Sequence, residues 1–303
     1  MLKIGTAVLA SAAIGSTSGA FGAENPKPDS GSPARKRSLK KAVMYGMIKT
    51  GTTVLEKFAA LKEAGFDGVE MDSPSSIPNA EIKAACEKTG ILIEGMVDSV
   101  HWRTTLSHNN PQMRADAVKA LETALRDCKD LGGTSVLLVP GVVDKSVAYD
   151  ECWNRSQEGI RKVIPLAREL GVKIAIENVG NHFIMSPLEA IRYVEDFGAP
   201  DVVGWHLDLG NLVLCGWPEQ WVRILNKRIV KLHFKEFSRT KAMNEGLKKA
   251  LDVELTEGEN DWPAIMKALD DVGYNTWACA EVRGGDVERL KFISQRLDRI
   301  FAM

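Results

Sequence analysis

Residues 172–177 read VKIAIE and residues 229–234 read IVKLHF, two short runs that are mostly apolar and β-branched. Such runs are typical of strands in a parallel sheet that is covered on both faces. Outward from these segments, similar runs recur in both directions, and a longer amphipathic stretch follows each of them. The predicted strands are 42–48, 67–71, 91–97, 134–139, 172–177, 202–207, 229–234 and 276–281.

Helix-starting and helix-stopping residues mark the segments between these strands. Asn110-Pro111 and Ser186-Pro187 each combine an N-cap side chain with proline at the first helical position. Gly171 and Gly273 each follow a helical run, where a left-handed cap is expected. The predicted helices lie near 52–64, 78–89, 111–131, 150–170, 186–197, 217–226, 261–272 and 285–301. Eight strand–helix units predict a single-domain α/β fold, a (β/α)8 TIM barrel over residues 42–303. The alternative, an open doubly wound sheet, lacks a GxGxxG motif after its first strand.

Length and charge agree with one barrel that acts on small molecules. The chain has 303 residues, of which 45% are hydrophobic, and its 39 Lys and Arg residues nearly balance 40 Asp and Glu. The chain therefore has no overall basic excess to attract nucleic acid or an anionic membrane surface. The five cysteines form no CxxC pair, which argues against a zinc cluster.

The N-terminal region is predicted to be a targeting segment. Residues 1–23 combine Lys3 with an apolar run and small residues suited to cleavage, so they are interpreted as a signal peptide. The first three residues also resemble the end of a twin-arginine signal without its arginine pair, which raises the hypothesis of an earlier start. Residues 24–41 are interpreted as a linker. We therefore expect an exported, periplasmic or extracytoplasmic protein with no membrane attachment after cleavage.

Ionisable residues stand at the ends of four consecutive predicted strands. Glu177 ends the fifth strand, Asp208 follows the sixth, His233 lies in the seventh and Glu281 ends the eighth. Because the carboxyl ends of barrel strands meet at one face, these side chains should converge there. Three carboxylates and an imidazole suit one divalent metal ion, Mn²⁺, Mg²⁺, Co²⁺ or Zn²⁺. The alternative is a set of ion pairs with the nearby basic residues Lys235, Arg239 and Arg283.

Four short motifs resemble the sugar isomerase/epimerase family of xylose-isomerase-like TIM barrels, which includes ketose 3-epimerases. They are EN at 177–178, HLDLGN at 206–211, HFKE at 233–236 and AEV at 280–282. The resemblance covers residues 42–300. It implies that Glu177, Asp208, His233 and Glu281 bind the metal. It also implies that Glu177 and Glu281 are the catalytic pair, exchanging protons with the substrate through a cis-enediolate.

Six residues are predicted to bind substrate. Arg239 matches an arginine that contacts substrate in ketose epimerases, and Trp102 is placed to stack on a sugar face. The full set is Trp102, His206, Asn211, Lys235, Arg239 and Arg283. The chain departs from the epimerases where they carry a substrate-binding His and a Glu, since it has Asn211 and Phe183 there. The resemblance therefore leaves the substrate open.

The predicted function is that of a metal-dependent sugar isomerase or epimerase, with a small-molecule sugar as partner and a homo-oligomer implied by the resemblance. The same enediolate could instead lose a β-hydroxyl, so a lyase, a dehydratase or a keto-glycoside-cleaving enzyme is an alternative. A non-catalytic sugar-binding barrel is another. An apurinic endonuclease is disfavoured because the chain has only five histidines and balanced charge. The insertion at 239–258 is a candidate lid or substrate wall.

Overall fold

The predicted strands close into one parallel barrel, in which each strand pairs with its neighbours in sequence order. The computed structural model describes residues 37–303, so the predicted signal segment and most of the linker lie outside the described residues. The strands are β1 (Lys40–Met44), β2 (Gly68–Ser73), β3 (Leu92–Asp98), β4 (Ser135–Leu138), β5 (Lys173–Glu177), β6 (Val203–Asp208), β7 (Ile229–Phe234) and β8 (Trp277–Ala280).

The helices surround the barrel and agree with the predicted segments to within about two residues. They are α1 (Val54–Glu63), α2 (Asn79–Thr89), α3 (Pro111–Asp130), α4 (Tyr149–Leu170), α5 (Pro187–Glu195), α6 (Pro218–Leu225), α7 (Arg239–Glu245), α8 (Leu247–Ala250), α9 (Trp262–Val272) and α10 (Val287–Phe301). Within residues 37–303, none of them has both the length and the apolar character that crossing a membrane requires.

The predicted helix ends have the geometry that their residues favour. The side chain of Asn110 accepts a hydrogen bond from the backbone of Gln112 at the start of α3, and Pro111 occupies the first turn. Gly171 and Gly273 close α4 and α9 with φ values of 66° and 68°, the left-handed conformation that glycine adopts without a Cβ clash. Local sequence therefore fixes where these helices begin and end.

The first strand differs from its prediction. β1 begins at Lys40, two residues before the predicted barrel boundary, and it ends at Met44 instead of continuing to residue 48. Residues Tyr45–Met47 form a 3₁₀ turn, after which Ile48 pairs with Gly285 in an isolated bridge. The apolar sequence pattern extends past the end of the strand because Ile48, which follows the turn, is also buried.

The predicted insertion after β7 forms the short helices α7 and α8. A small apolar cluster of Val213, Phe237 and Ala250 packs beneath it. The buried carboxylate of Glu236 accepts hydrogen bonds from the backbone of Thr256 and from the indole of Trp262, at 2.9 and 2.8 Å. These contacts hold the C-terminal end of the insertion against Glu236, which lies just before the insertion begins.

Candidate metal centre and substrate cavity

The four predicted metal ligands come together at the carboxyl end of the barrel. Glu177 is the last residue of β5, Asp208 the last of β6, and Glu281 follows β8. Asp208 lies opposite His233 in the β6–β7 ladder, and the backbone of Glu281 donates to Phe234 at 3.1 Å. The strand register therefore sets all four at one level, and one ligand atom from each lies within 4.8 Å of the others.

Their donor atoms surround a common point near the imidazole. His233 Nδ1 lies 3.1 Å from Glu177 Oε1, 3.2 Å from Glu281 Oε2 and 3.9 Å from Asp208 Oδ2. Asp208 Oδ2 is buried and accepts no hydrogen bond from any described residue. A buried carboxylate oxygen without a partner is costly unless a cation or donor satisfies it. The donor set and this orphaned oxygen fit a divalent ion.

Electrostatics at the centre also favour a cation. Burial raises the pKa of Asp208 well above its usual range and raises that of Glu177, because the apolar barrel disfavours their charged forms. Burial alone would lower the pKa of His233, but the charge of Glu70 and hydrogen bonds to neighbours that include Glu177 and Glu281 raise it well above its usual value. The centre therefore binds protons strongly, and a metal ion would compensate the same negative charge.

Lys235 is the cation that the chain itself places beside these carboxylates. Its Nζ lies 3.0 Å from Glu281 Oε2 and 3.6 Å from Asp208 Oδ2. Burial would lower the pKa of Lys235, but Asp208 and Glu281 raise it above its usual value. The ammonium group therefore remains charged, and it faces the cavity with the glutamates.

Glu70 is a functional candidate that the sequence analysis missed. Its Oε2 lies 2.9 Å from His233 Nε2, and both side chains are almost fully buried. A metal ion at the centre would take the Nδ1 lone pair, which would leave the ring proton on Nε2, where it donates to Glu70. Carboxylates that orient a metal-binding histidine in this way also raise its basicity as a ligand. The only sequence signal was a glutamate inside the apolar strand 67–71.

A second buried pair lies deeper in the barrel. The ammonium group of Lys231 donates to the carboxylate and to the backbone carbonyl of Glu94. Their side chains are 4% and 0% exposed, so each charge depends on the other for compensation. This pair connects β7 with β3 across the interior, below the metal centre.

A cavity of about 350 Å³ lies over the centre. Three predicted substrate-binding residues line it, namely Trp102, Asn211 and Lys235. Trp102 is half exposed. Asn211 also supports the centre, since its backbone donates to Asp208 Oδ1 at 2.7 Å. Three polar residues outside the predicted substrate-binding set line the opposite wall, namely Asp72, Asp98 and His101.

The structure does not bring His206, Arg239 or Arg283 to the cavity. The ring of His206 is fully buried beneath the centre, 4.2 Å from the ring of His233, because its place in β6 lies below Asp208. Arg239 is the first residue of α7, and its guanidinium points toward the loop before α6. There it donates to the backbone carbonyls of Val213 and Gly216. Arg283 is exposed and lies outside the cavity lining.

Phe183 occupies the position where ketose epimerases carry a glutamate, and it is part of the core. Its ring packs against Tyr149, Trp153 and Tyr193, with centroid distances of 5.1, 5.9 and 5.6 Å. A phenylalanine in this aromatic cluster provides no polar contact for a substrate. The departure from the epimerase pattern therefore changes the site itself.

Comparison with known proteins identifies the family. A family model described as xylose isomerase-like TIM barrel matches residues 58–299. The chain belongs to this family. Among curated relatives in this comparison, inosose dehydratase from Lacticaseibacillus casei is 29% identical over 161 residues, 47% of this chain. That match spans 53%, about half, of the dehydratase.

Other relatives in the comparison are epimerases. L-ribulose-5-phosphate 3-epimerase UlaE from Salmonella paratyphi A is 25% identical over 244 residues, which cover 75% of this chain and 81% of that protein. The solved structure of the 3-keto-D-glucoside 4-epimerase YcjR from E. coli has a TM-score of 0.72 at 17% identity. The match covers 88% of this chain and 100% of the epimerase, and it shows that the two proteins share a fold.

Proposed function

We propose that this xylose isomerase-like barrel is a metal-dependent isomerase or epimerase of sugars, with Glu177 and Glu281 as its acid–base pair. The convergence of the two glutamates with Asp208 and His233 on one point carries the proposal. Both glutamates line the cavity, and they reach it from strands β5 and β8, which lie on different sides of the centre.

The chemistry requires a proton to leave a carbon atom beside a carbonyl group. A divalent ion held by the four side chains would polarise that carbonyl and stabilise the negative charge that develops on its oxygen. One glutamate takes the proton from the carbon, and the same or the other glutamate returns a proton. Return to the same carbon from the other face gives an epimer, and return to the adjacent carbon gives an isomer.

Neighbouring residues hold the ligands in position for this step. The side chain of Asn178 accepts from the backbone of Asp208 at 3.0 Å, and its amide donates to the carbonyl of Asp208 at 2.9 Å. Lys235 holds Glu281 from the cavity side. Such support restricts the ligands to one geometry, which metal binding and proton transfer both need.

Metal content and hydrogen exchange test the proposal together. We expect mass spectrometry to find one divalent ion per wild-type chain, and a Glu177→Gln/Asp208→Asn variant to lose it. Wild-type protein should also catalyse exchange of carbon-bound hydrogen of ketoses such as L-ribulose or D-tagatose in D2O. Glu236→Gln is a matched control, because Glu236 is buried near the same rim but contacts none of the ligands. Retention of the ion by the double variant would refute the assigned site.

A lyase or dehydratase is the second candidate, and similarity to an inosose dehydratase favours it. Loss of a β-hydroxyl from the same enediolate needs an acid near the departing oxygen, and Asp98 on the opposite wall is available for this. Product mass separates the two reactions. An unchanged mass indicates an isomerase or epimerase, and loss of one water indicates a dehydratase. Binding without any hydrogen exchange would instead indicate a sugar-binding protein.

Export and self-association are also proposals. Residues 1–23 support export, and cell fractionation with N-terminal sequencing of the mature protein tests it. Light scattering of the purified chain tests for the homo-oligomer that the family resemblance implies.

A further inference from the structure

The charge of the cavity restricts its ligands. Four carboxyl groups line it, from Asp72, Asp98, Glu177 and Glu281. Lys235 is the only lysine or arginine that lines it within residues 37–303, and its ammonium group already pairs with Glu281 and the buried Asp208. Apart from the ion proposed at the centre, a substrate phosphate would thus find no free cation on the walls, and contacts with their carboxyl groups would weaken its binding.

The wall opposite the metal centre is built for neutral hydroxyl groups. His101 Nδ1 accepts from the backbone of Val139 at 3.3 Å, which places the ring proton on Nε2. Burial lowers the pKa of His101 to about 4, so the ring is a neutral donor at physiological pH. Asp98 accepts from the backbone of Val100 through Oδ1, and no described residue donates to Oδ2. His101 and Asp98 thus present a neutral donor and an acceptor to the cavity, and the two residues are 5% and 2% exposed.

A second cavity of about 230 Å³ adjoins the first. Val179, Gly180 and Asn211 line both. We call this second cavity the apolar annex. Its apolar lining consists mainly of Ile184, Met185, Leu212, Leu214 and Leu247. Within the described part of the chain, no acidic residue, lysine or arginine lines it.

Three of the apolar side chains that line the annex are exposed and are not part of the core. Met185, Leu214 and Leu247 are 66%, 45% and 56% exposed. Large apolar side chains grouped beside a polar site usually mark a binding surface. A ligand that fills both cavities needs a hydroxyl-rich part next to the metal centre and an apolar part that passes Val179 and Gly180.

Building on the proposed function, we infer that the substrate is an uncharged sugar that carries an apolar substituent, a glycoside whose aglycone occupies the annex. The sugar ring lies between the metal centre and the Asp98–His101 wall. Phosphorylated sugars are disfavoured at this site. The site therefore differs in substrate class from that of the L-ribulose-5-phosphate epimerase to which the chain is similar.

Calorimetry with metal-loaded full-length protein tests the two parts of the inference. For charge, the probes are L-ribulose and L-ribulose 5-phosphate, and we expect the phosphate to bind at least about tenfold more weakly. For the annex, the probes are methyl and phenyl 3-keto-β-D-glucosides, and we expect the phenyl compound to bind roughly tenfold more tightly, because its ring leaves water for an apolar surface. Tighter binding of the phosphate, equal binding of both glucosides, or no sugar binding at all overturns the inference.

Variants locate the effect. Leu214→Ser/Leu247→Ser should abolish the preference for the phenyl glucoside while leaving the methyl glucoside within about twofold of wild type. Leu188→Ser is the matched control, because Leu188 is an exposed leucine of α5 that lines neither cavity. If the double variant instead changes the oligomeric state and keeps the preference, the annex is a contact between subunits and the inference fails.

These outcomes are distinct from failure of the proposed function. Absence of hydrogen exchange with every ketose and keto-glucoside, with the binding preferences intact, rejects the enzymatic proposal and leaves the ligand class standing. Exchange that proceeds with phosphorylated sugars at least as well as with neutral ones rejects the ligand class and leaves the chemistry standing.

Discussion

Glu70 offers a way to perturb the proposed metal centre without changing any of its four predicted ligands. It contacts the centre through one hydrogen bond of 2.9 Å between its Oε2 and His233 Nε2. Glu70→Gln keeps an oxygen that can accept this bond but removes its charge. A bond to a charged group contributes about 1.5–3 kcal/mol and a neutral one about 0.5–1.5 kcal/mol. The loss of roughly 1–1.5 kcal/mol corresponds to about a tenfold weaker Kd for Mn²⁺.

Glu70→Leu extends the prediction, because it removes the acceptor altogether. The Nε2 proton of His233 is then buried without a partner, and the imidazole loses the group that fixes its orientation. Removal of such partners weakens metal binding by about 10- to 100-fold, and we expect the leucine variant near the upper end of that range. Titration calorimetry with Mn²⁺ measures the affinities, and thermal unfolding without metal shows whether each variant folds.

The refuting result is a wild-type Kd for Mn²⁺ in both variants. His233 would then be held by other contacts, and the role assigned to Glu70 would be wrong. Glu236→Gln separates this role from the general effect of removing a buried carboxylate. It should destabilise the protein and leave the Kd unchanged, because Glu236 contacts the insertion and not His233.

Three further predictions concern stability. Lys231→Met leaves Glu94 buried without its cation and should lower the free energy of unfolding by about 3–5 kcal/mol, whereas adding Glu94→Leu should restore much of it; urea denaturation measures both. Glu236→Gln turns an amide N–H toward existing donors and should cost about 1–3 kcal/mol by the same assay, and a wild-type midpoint would contradict this. Burial raises the pKa of Asp98 to about 7. Since the folded state then holds the proton more tightly than the unfolded state, wild type loses stability as pH rises from about 4 to 7. Asp98→Asn should avoid that loss. The free energy of unfolding of the variant relative to wild type should therefore rise from about pH 4 to 7, level off above pH 7 and reach the order of 1–4 kcal/mol. A difference that does not depend on pH would refute the reasoning.

Local sequence contains most of the information for this fold. Apolar runs define the strands, and residues such as Asn110 and Gly171 define where helices begin and end. The predicted end of β1 was wrong, because an apolar pattern does not distinguish a strand from a strand followed by a turn and another buried residue. That distinction depends on the pairing of Ile48 with Gly285, which are 237 positions apart in sequence.

The candidate site shows a similar division. The convergence of the four predicted ligands could be foreseen, because a residue at the end of a barrel strand has its position fixed by the strand register. Arg239 could not be placed, because its direction depends on how α7 leaves the barrel. Glu70 was missed because its role depends on a contact across the barrel interior with His233, 163 positions away.

The contact between Glu70 and His233 has a consequence for how the protein unfolds. The four ligands come from the contiguous strands β5–β8, whereas Glu70 belongs to β2, on the other half of the barrel. Binding of an ion to one half is therefore linked to the integrity of the other. Ligands that bind only the native state stabilise it in proportion to their saturation. Added Mn²⁺ should thus slow amide hydrogen exchange in β2 as well as in β5–β8, so that the two halves open as one cooperative unit.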